Sequence, residues 1–358
     1  MKNIIVFALV AGACTIGHAH ATENGSLLNE TVAEKSVMIN NKAVLEISST
    51  ESGDVNISKV LADFVKKNGC RTVMVKLEAG KLYRTGELKI PQLDEVMFVS
   101  SGTAKEKCPQ LVIRQITLAS PLQAMSFKNI CIDGNNEATF LMSWTGKAYA
   151  QSLSFTECDV KNIKQSIVRI TNGENVSIKD ITFNNCIISE VSTTGWGVIN
   201  MGANVNLLGR IAVTNSTLVN IGDQLMDLYG VVHEVLLENC TLYNASDAKK
   251  ELSRLFLLRN VNKTPASPET VTVRNVIFAG PNMGKNINSG YGDYKCLNFS
   301  DNNYMTIDLK EGNNKFAGIT KLELTSDKLF ANPSKGDFRI KSVSGFAGKG
   351  KAGDPRWY

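Results

Sequence analysis

The stretch that decides the fold is Ile181-Thr182-Phe183-Asn184-Asn185-Cys186, an alternating strand closed by Asn and a small residue. The same phrase recurs upstream as Met125-Ser126-Phe127-Lys128-Asn129-Ile130 and Leu153-Ser154-Phe155-Thr156-Glu157-Cys158. Downstream it recurs as Ile211-Ala212-Val213-Thr214-Asn215-Ser216, Val235-Leu236-Leu237-Glu238-Asn239-Cys240 and Val271-Thr272-Val273-Arg274-Asn275-Val276, at successive intervals of 28, 28, 30, 24 and 36 residues. A period of this size marks a repeat architecture. Each coil lays a strand about 4.8 Å from its equivalent in the previous coil. The first and third residues of each phrase point inward and those between point out. The Asn lands at a bend, in reach of its neighbours above and below. The residue after it is small enough to stack in a tight inner corner, so Cys158, Cys186 and Cys240 read as a buried apolar column.

A second strand per coil follows, in Leu141-Met142-Ser143, Val168-Arg169-Ile170, Ile199-Asn200-Met201, Met226-Asp227-Leu228 and Phe256-Leu257-Leu258. Columns 141/168/199/226/256 and 143/170/201/228/258 are almost wholly apolar, Ser143 excepted, and predict core positions. The column between them, Met142, Arg169, Asn200, Asp227 and Leu257, is expected to face out, beside an outer column of Trp144, Thr171, Gly202, Tyr229 and Arg259. Ahead of the coils, Ile57, Val60, Leu61, Phe64 and Val65 carry helical spacing, and Gly69 follows as a stop. A solenoid exposes an apolar end that has to be covered, and this helix is expected to cap it.

The chain is therefore read as an all-β, single right-handed parallel β-helix of about eight coils. Residues 1–21 form an export signal and 22–53 a polar entry segment. The β-helix occupies 54–305, with the cap helix at about 56–68, and 306–358 form a C-terminal ending. Lys2, the ten-residue apolar run Ile4–Ala13 and Ala19-His20-Ala21 before Thr22 have the form of a secretory signal. A rival reading makes Cys14 a lipid anchor. Both place the mature chain in the periplasm, on the outer-membrane surface or outside the cell. No later apolar run is long enough to span a membrane. The net charge of +5 is scattered along the chain, which argues against a nucleic-acid partner.

The segment Leu77-Glu78-Ala79-Gly80-Lys81-Leu82-Tyr83 after the cap helix resembles the start of pectate-lyase-like β-helix proteins, with one extra residue before Tyr83. Residues 181–188 (ITFNNCII) and 213–219 (VTNSTLV) are similar to paired β-helix domains of unknown function from exported proteins of glycan-degrading Gram-negative bacteria. The tail phrases Leu329-Phe330-Ala331-Asn332-Pro333, Gly336-Asp337-Phe338-Arg339-Ile340 and Gly353-Asp354-Pro355-Arg356-Trp357 resemble the ending of those domains. The resemblance covers residues 55–358 and implies a fold, not an activity.

The chemistry is bounded by absences. His233 is the one histidine after the signal, read as a turn residue, and it leaves no multi-histidine metal site. Seven cysteines remain after residue 21 without a C-x-x-C, so no zinc site is expected, and Cys70–Cys108 is the one disulfide pair considered. The Asn-Thr-Asp and Asp-Asp motifs of polygalacturonases are missing. Calcium-dependent lyases stack acidic residues around a hard cation, and the outer column here holds Asp227 alone, so no metal or other cofactor is expected, with calcium left as an open but unsupported alternative. What remains is a surface of Trp144, Arg169, Asn200, Asp227, Tyr229 and Arg259. Aromatic area for sugar faces and guanidinium forks for uronate or sulfate suit a polysaccharide partner. Three readings stand open: a non-catalytic binder of acidic glycans, a polysaccharide lyase with Arg169 neutralising the uronate and Tyr229 as base, and a structural or adhesive surface protein.

Overall fold

The computed structural model describes residues 34–39, 42–102, 107–171, 176–246, 255–259, 267–283, 296–309 and 318–358. The expected signal, residues 1–21, and Cys14 lie outside the described residues. So do 22–33 of the entry segment and 310–317 of the ending.

The chain winds into a parallel β-solenoid of about eight turns, the architecture of a right-handed β-helix, and its described residues form a sheet of 12 strands and another of 15. Each central coil carries three strands, where the sequence shows two. The first stack holds the repeat phrases, including Leu122–Lys128, Ala150–Thr156, Asp180–Asn184, Val205–Thr214, Val231–Glu238 and Thr270–Arg274. Its register is the sequence register: Met125, Leu153, Ile181, Ile211, Val235 and Val271 form one column. Phe127, Phe155, Phe183, Val213, Leu237 and Val273 form the next inward column. All twelve are buried. Phe98, Phe127, Phe155 and Phe183 stack face to face with centroids 5.3, 5.2 and 4.5 Å apart.

The bends after the first stack are left-handed. Asn129, Glu157, Asn185, Asn215, Asn239 and Asn275 all have φ between 50° and 57°. Asn reaches this region more easily than most L-residues, which explains its recurrence. The residues after them, Ile130, Cys158, Cys186, Ser216, Cys240 and Val276, are fully buried. Cys158, Cys186 and Cys240 place their thiols 3.4, 3.5 and 3.4 Å from the carbonyls of Phe127, Phe155 and Val213 in the preceding coil. The Asn side chains are half-buried, and their ladder is discontinuous. Asn239 donates to Asn215 at 3.1 Å, but Asn215 donates to Asn184 at 2.9 Å, and Asn185 instead accepts from Arg356 at 2.8 Å.

The second stack is the one hidden in the sequence. It comprises Cys131–Asp133, Asp159–Ile163, Ile187–Val191, Thr217–Ile221, Thr241–Ala245 and Ile277–Ala279. A second left-handed column interrupts these short strands at Asn162, Glu190, Asn220, Asn244 and Gly280. Gly280, at φ 105°, is required there, because a Cβ would lie 2.3 Å from Asn244 Oδ1. The third stack holds Phe140–Trp144, Ser166–Ile170, Gly197–Met201, Gln224–Leu228 and Phe256–Leu258. The long strand Gln110–Leu118 joins the second and third stacks: its start pairs with Cys131–Asp133, while Ile116 pairs with Met142.

Helix Ile57–Asn68 starts at Asn56, whose side chain accepts from Lys59 N, and ends at Gly69, with φ 60°. Ile57, Leu61 and Phe64 enter the main core, and the helix packs chiefly on Leu82–Ile90. Strand Lys42–Ile47 pairs in parallel with Thr72–Leu77. No helix among the described residues is long and apolar enough to cross a membrane.

The C-terminal segment folds back onto the outer face of the second stack. Leu329, Phe330, Phe338, Ile340, Phe346 and Ala352 build a second apolar cluster with Val219, Tyr243, Ile277 and Ala279. Thr217 donates to Asp354 at 2.7 Å, Asp354 N donates to Thr241 at 3.0 Å, and Trp357 Nε1 donates to Thr217 at 2.7 Å. All seven described cysteines are free, Cys70 and Cys108, the one pair considered for a disulfide, among them.

Asn215→Leu forces a bulky residue into a left-handed bend and leaves Asn239 without its acceptor. Destabilisation of roughly 1–3 kcal/mol is expected. Asn215→Gly, which keeps the bend, should cost less. Urea midpoints measure both, and equal midpoints for Asn215→Leu and wild type would contradict the role of the bend.

Candidate outer-face site on the third stack

The register of the third stack fixes which residues share its outer face. Val168 pairs with Met142, Arg169 with Ser143 and Ile170 with Trp144. The inward columns are therefore 142/168/199/226/256 and 144/170/201/228/258. Leu141, Ile167, Val198, Leu225 and Leu255 fill the corner before them. The sequence alignment is one residue out in its first coil, and a one-residue slip moves a side chain to the opposite face. Trp144 is consequently a core residue, 2% exposed, and not a stacking platform.

The true outer column starts earlier than the sequence suggests. Lys89 pairs with Thr117, and the pairing of Ile116 with Met142 brings Thr117 beside Ser143. Ser143 then pairs with Arg169, Arg169 with Asn200, Asn200 with Asp227, and Asp227 with Leu257. Seven residues in register cover about 29 Å at the usual strand spacing. The N-terminal end of this face opens into a groove of about 1050 Å³ whose lining includes Arg84, Glu87, Lys89, Thr117 and Lys59.

At the centre stands Arg169. Its guanidinium carbon lies 4.4 Å from the Phe140 ring centroid and 4.6 Å from that of Trp196, and the two rings meet edge to face at 5.9 Å. Such contacts hold a cation in place. Burial lowers the Arg169 pKa from its ordinary value. Its Nε is buried and has no hydrogen-bond partner among the described residues. Ser166 Oγ, Gln165 Oε1 and Gln224 Oε1, on the same strands or at their edge, are likewise buried without partners. Ser166 pairs with Phe140 and Gln224 with Gly197, so these atoms gather at the strand starts beside Trp196. The loop that carries Trp196 is fastened by Gly195 N donating to Asp223 at 2.6 Å.

The other site candidates form a closed polar chain. Asn200 Nδ2 donates to Asp227 Oδ2 at 3.0 Å, and Arg259 grips Asp227 through Nε and Nη2 at 2.7 and 2.9 Å. Asp227 is 3% exposed, so its carboxylate is committed to this pair. Tyr229, 44% exposed, lies past the strand end, where its N–H donates to Met201 O. Arg169 leans toward the strand starts and Tyr229 stands beyond the strand ends, so the structure does not bring them together. His233 lies within strand Val231–Glu238 of the first stack, not in a turn, 2.9 Å from Glu269. Phe140, Trp196, Lys89 and the orphaned polar atoms escaped the sequence reading. The signal for Lys89 was present, because Gly86-Glu87-Leu88-Lys89-Ile90 alternates as the later coils do.

A family model described as "Domain of unknown function (DUF5123)" matches residues 235–357, about a third of the chain. No curated protein matches. Among solved structures, the chain is similar to a PL6 family alginate lyase, AlyGC, with 10% identity and a TM-score of 0.25, covering 79% of this chain and 54% of the lyase. An arginine-to-alanine mutant of that lyase matches at 9% identity and TM-score 0.25, covering 76% and 53%. The chain thus spans about half the length of these structures.

Trp144→Ala should cost about 3–5 kcal/mol, the range for removing a large core side chain, and denaturant midpoints would show it. A midpoint within about 0.5 kcal/mol of wild type would return the indole to the surface.

Proposed function

We propose that this protein is an exported binder of acidic polysaccharide that holds an extended glycan along the outer face of its third stack. The observation that carries this reading is the continuous column Lys89, Thr117, Ser143, Arg169, Asn200 and Asp227, with a half-buried guanidinium held against two aromatic rings at its centre. A repeating ladder about 4.8 Å per step suits a repeating polymer better than a compact ligand. The orphaned Arg169 Nε and the amide and hydroxyl oxygens beside it are suited to a carboxylate or sulfate and to sugar hydroxyls, since buried polar atoms left unmatched are costly. Lys89, ion-paired with Glu87 at 3.4 Å, adds a second cation whose charge that carboxylate partly offsets.

Elimination is the less favoured chemistry. It needs a base and a carboxylate-neutralising cation on one sugar unit. Arg169 and Tyr229 stand at opposite edges of the stack, and their coils are two steps, about 10 Å, apart. Asp227 is tied to Arg259 and Asn200. In the same reading, residues 1–21 direct export and are removed. Helix Ile57–Asn68 caps the first coil, because Ile57, Leu61 and Phe64 close the core there. Residues 329–357 of the ending cover the flank of the second stack.

Affinity electrophoresis and calorimetry with alginate, polygalacturonate and a neutral glucan test the proposal, with absorbance followed for unsaturated uronate. The acidic polymers should bind, the neutral one should not, and no unsaturated product should form. Arg169→Ala and Trp196→Ala should each weaken binding about tenfold, equivalent to about 1.4 kcal/mol. Unchanged affinity in both variants would overturn the site, and product formation by wild type would overturn the non-catalytic reading.

A further inference from the structure

The second stack brings together three residues that are 23 and 28 positions apart in the chain. Cys131 pairs in register with Asp159, and its N–H donates to Pro109 O at 3.0 Å, which seats Cys108 beside it. One ligand atom from each of Cys108, Cys131 and Asp159 lies within 4.8 Å of the other two. Cys131 is 5% exposed, and Cys108 and Asp159 are half-buried. Both thiols are free.

We infer that Cys108, Cys131 and Asp159 form a site for a thiophilic divalent cation of the zinc class, open to solvent at a fourth position. A tetrahedral centre with metal–sulfur bonds of about 2.3 Å and a metal–oxygen bond of about 2.0–2.2 Å sets its ligand atoms about 3.5–3.8 Å apart, within the spacing found here. Two sulfur ligands select zinc-like ions over calcium or magnesium, which prefer all-oxygen sites. Binding displaces both thiol protons to water and leaves two thiolates and a carboxylate on the metal. The partial exposure of Cys108 and Asp159 provides the entry path and the open position.

The three ligands come from successive coils, so the ion would clasp them where the tail residue Arg356, bonded to Asn185, comes to its end.

The test uses the full chain, purified and handled without oxygen, with cobalt(II) as probe and zinc(II) as competitor. One equivalent of cobalt should produce a thiolate-to-metal charge-transfer band and tetrahedral d–d bands, and zinc should abolish them. Cys108→Ser should remove the band. Asp159→Asn should weaken binding by about tenfold or more, as loss of one ligand does. Cys186→Ser, in the buried corner column, should keep the band and controls for folding. The inference is overturned if wild type gives no band, if the band survives Cys108→Ser, or if peptide mapping of the purified chain finds Cys108 and Cys131 joined as a disulfide.

Discussion

Everything in this structure depends on a single backbone constraint, the left-handed residue at each bend. Among the described residues, seven such residues follow the first stack, from Asn129 to Asn275 and then Asp301, and five more interrupt the second, each one coil from the next. A left-handed bend turns the chain sharply enough for a short strand to start on a new face. Because the bends align, every strand returns in register with its predecessor. Asn tolerates this conformation and offers an amide to the neighbouring coil. The aligned columns of Phe, Cys and aliphatic residues follow from the bends, as does the ladder of outward side chains on the third stack.

The first stack was legible because its two signals coincide. Strand alternation and the Asn at the bend recur together, and the structure reproduces that register at every coil from Met125 to Val271. The second stack was not legible because its strands are short and begin directly after the bend. Cys131–Asp133 and Ile277–Ala279 have three residues each, too few to show a period. The third stack was legible in its later coils and misread in its first. Leu141 and Met142 are both buried, one in the corner and one in the strand, and composition alone does not distinguish them. That ambiguity put Trp144 on the wrong face and hid the continuation of the outer column through Thr117 to Lys89.

Two groupings show what a solenoid hides from sequence inspection. The aromatic clamp on Arg169 draws Phe140 from one coil and Trp196 from a loop of another. The Cys108, Cys131 and Asp159 cluster has none of the short spacings that mark metal sites in compact domains. In a coil, residues about one turn apart in sequence are neighbours in space, so chemistry is written at the period of the coil. Asp227, the one acidic residue of the outer column, shows the converse. Its position suggested a free ligand, and its partners Arg259 and Asn200 make it a structural anchor instead.

The face used for binding is the central claim. It is tested most directly by hydrogen–deuterium exchange of the intact chain, with and without a defined uronate oligosaccharide. The account predicts added protection in Phe140–Trp144, Ser166–Ile170 and Gly197–Met201 and in the loop carrying Trp196, with no change along Ala150–Thr156 or Asp180–Asn184 of the first stack. Protection confined to the first stack, or to the outer face of the second beneath the C-terminal segment, would contradict it.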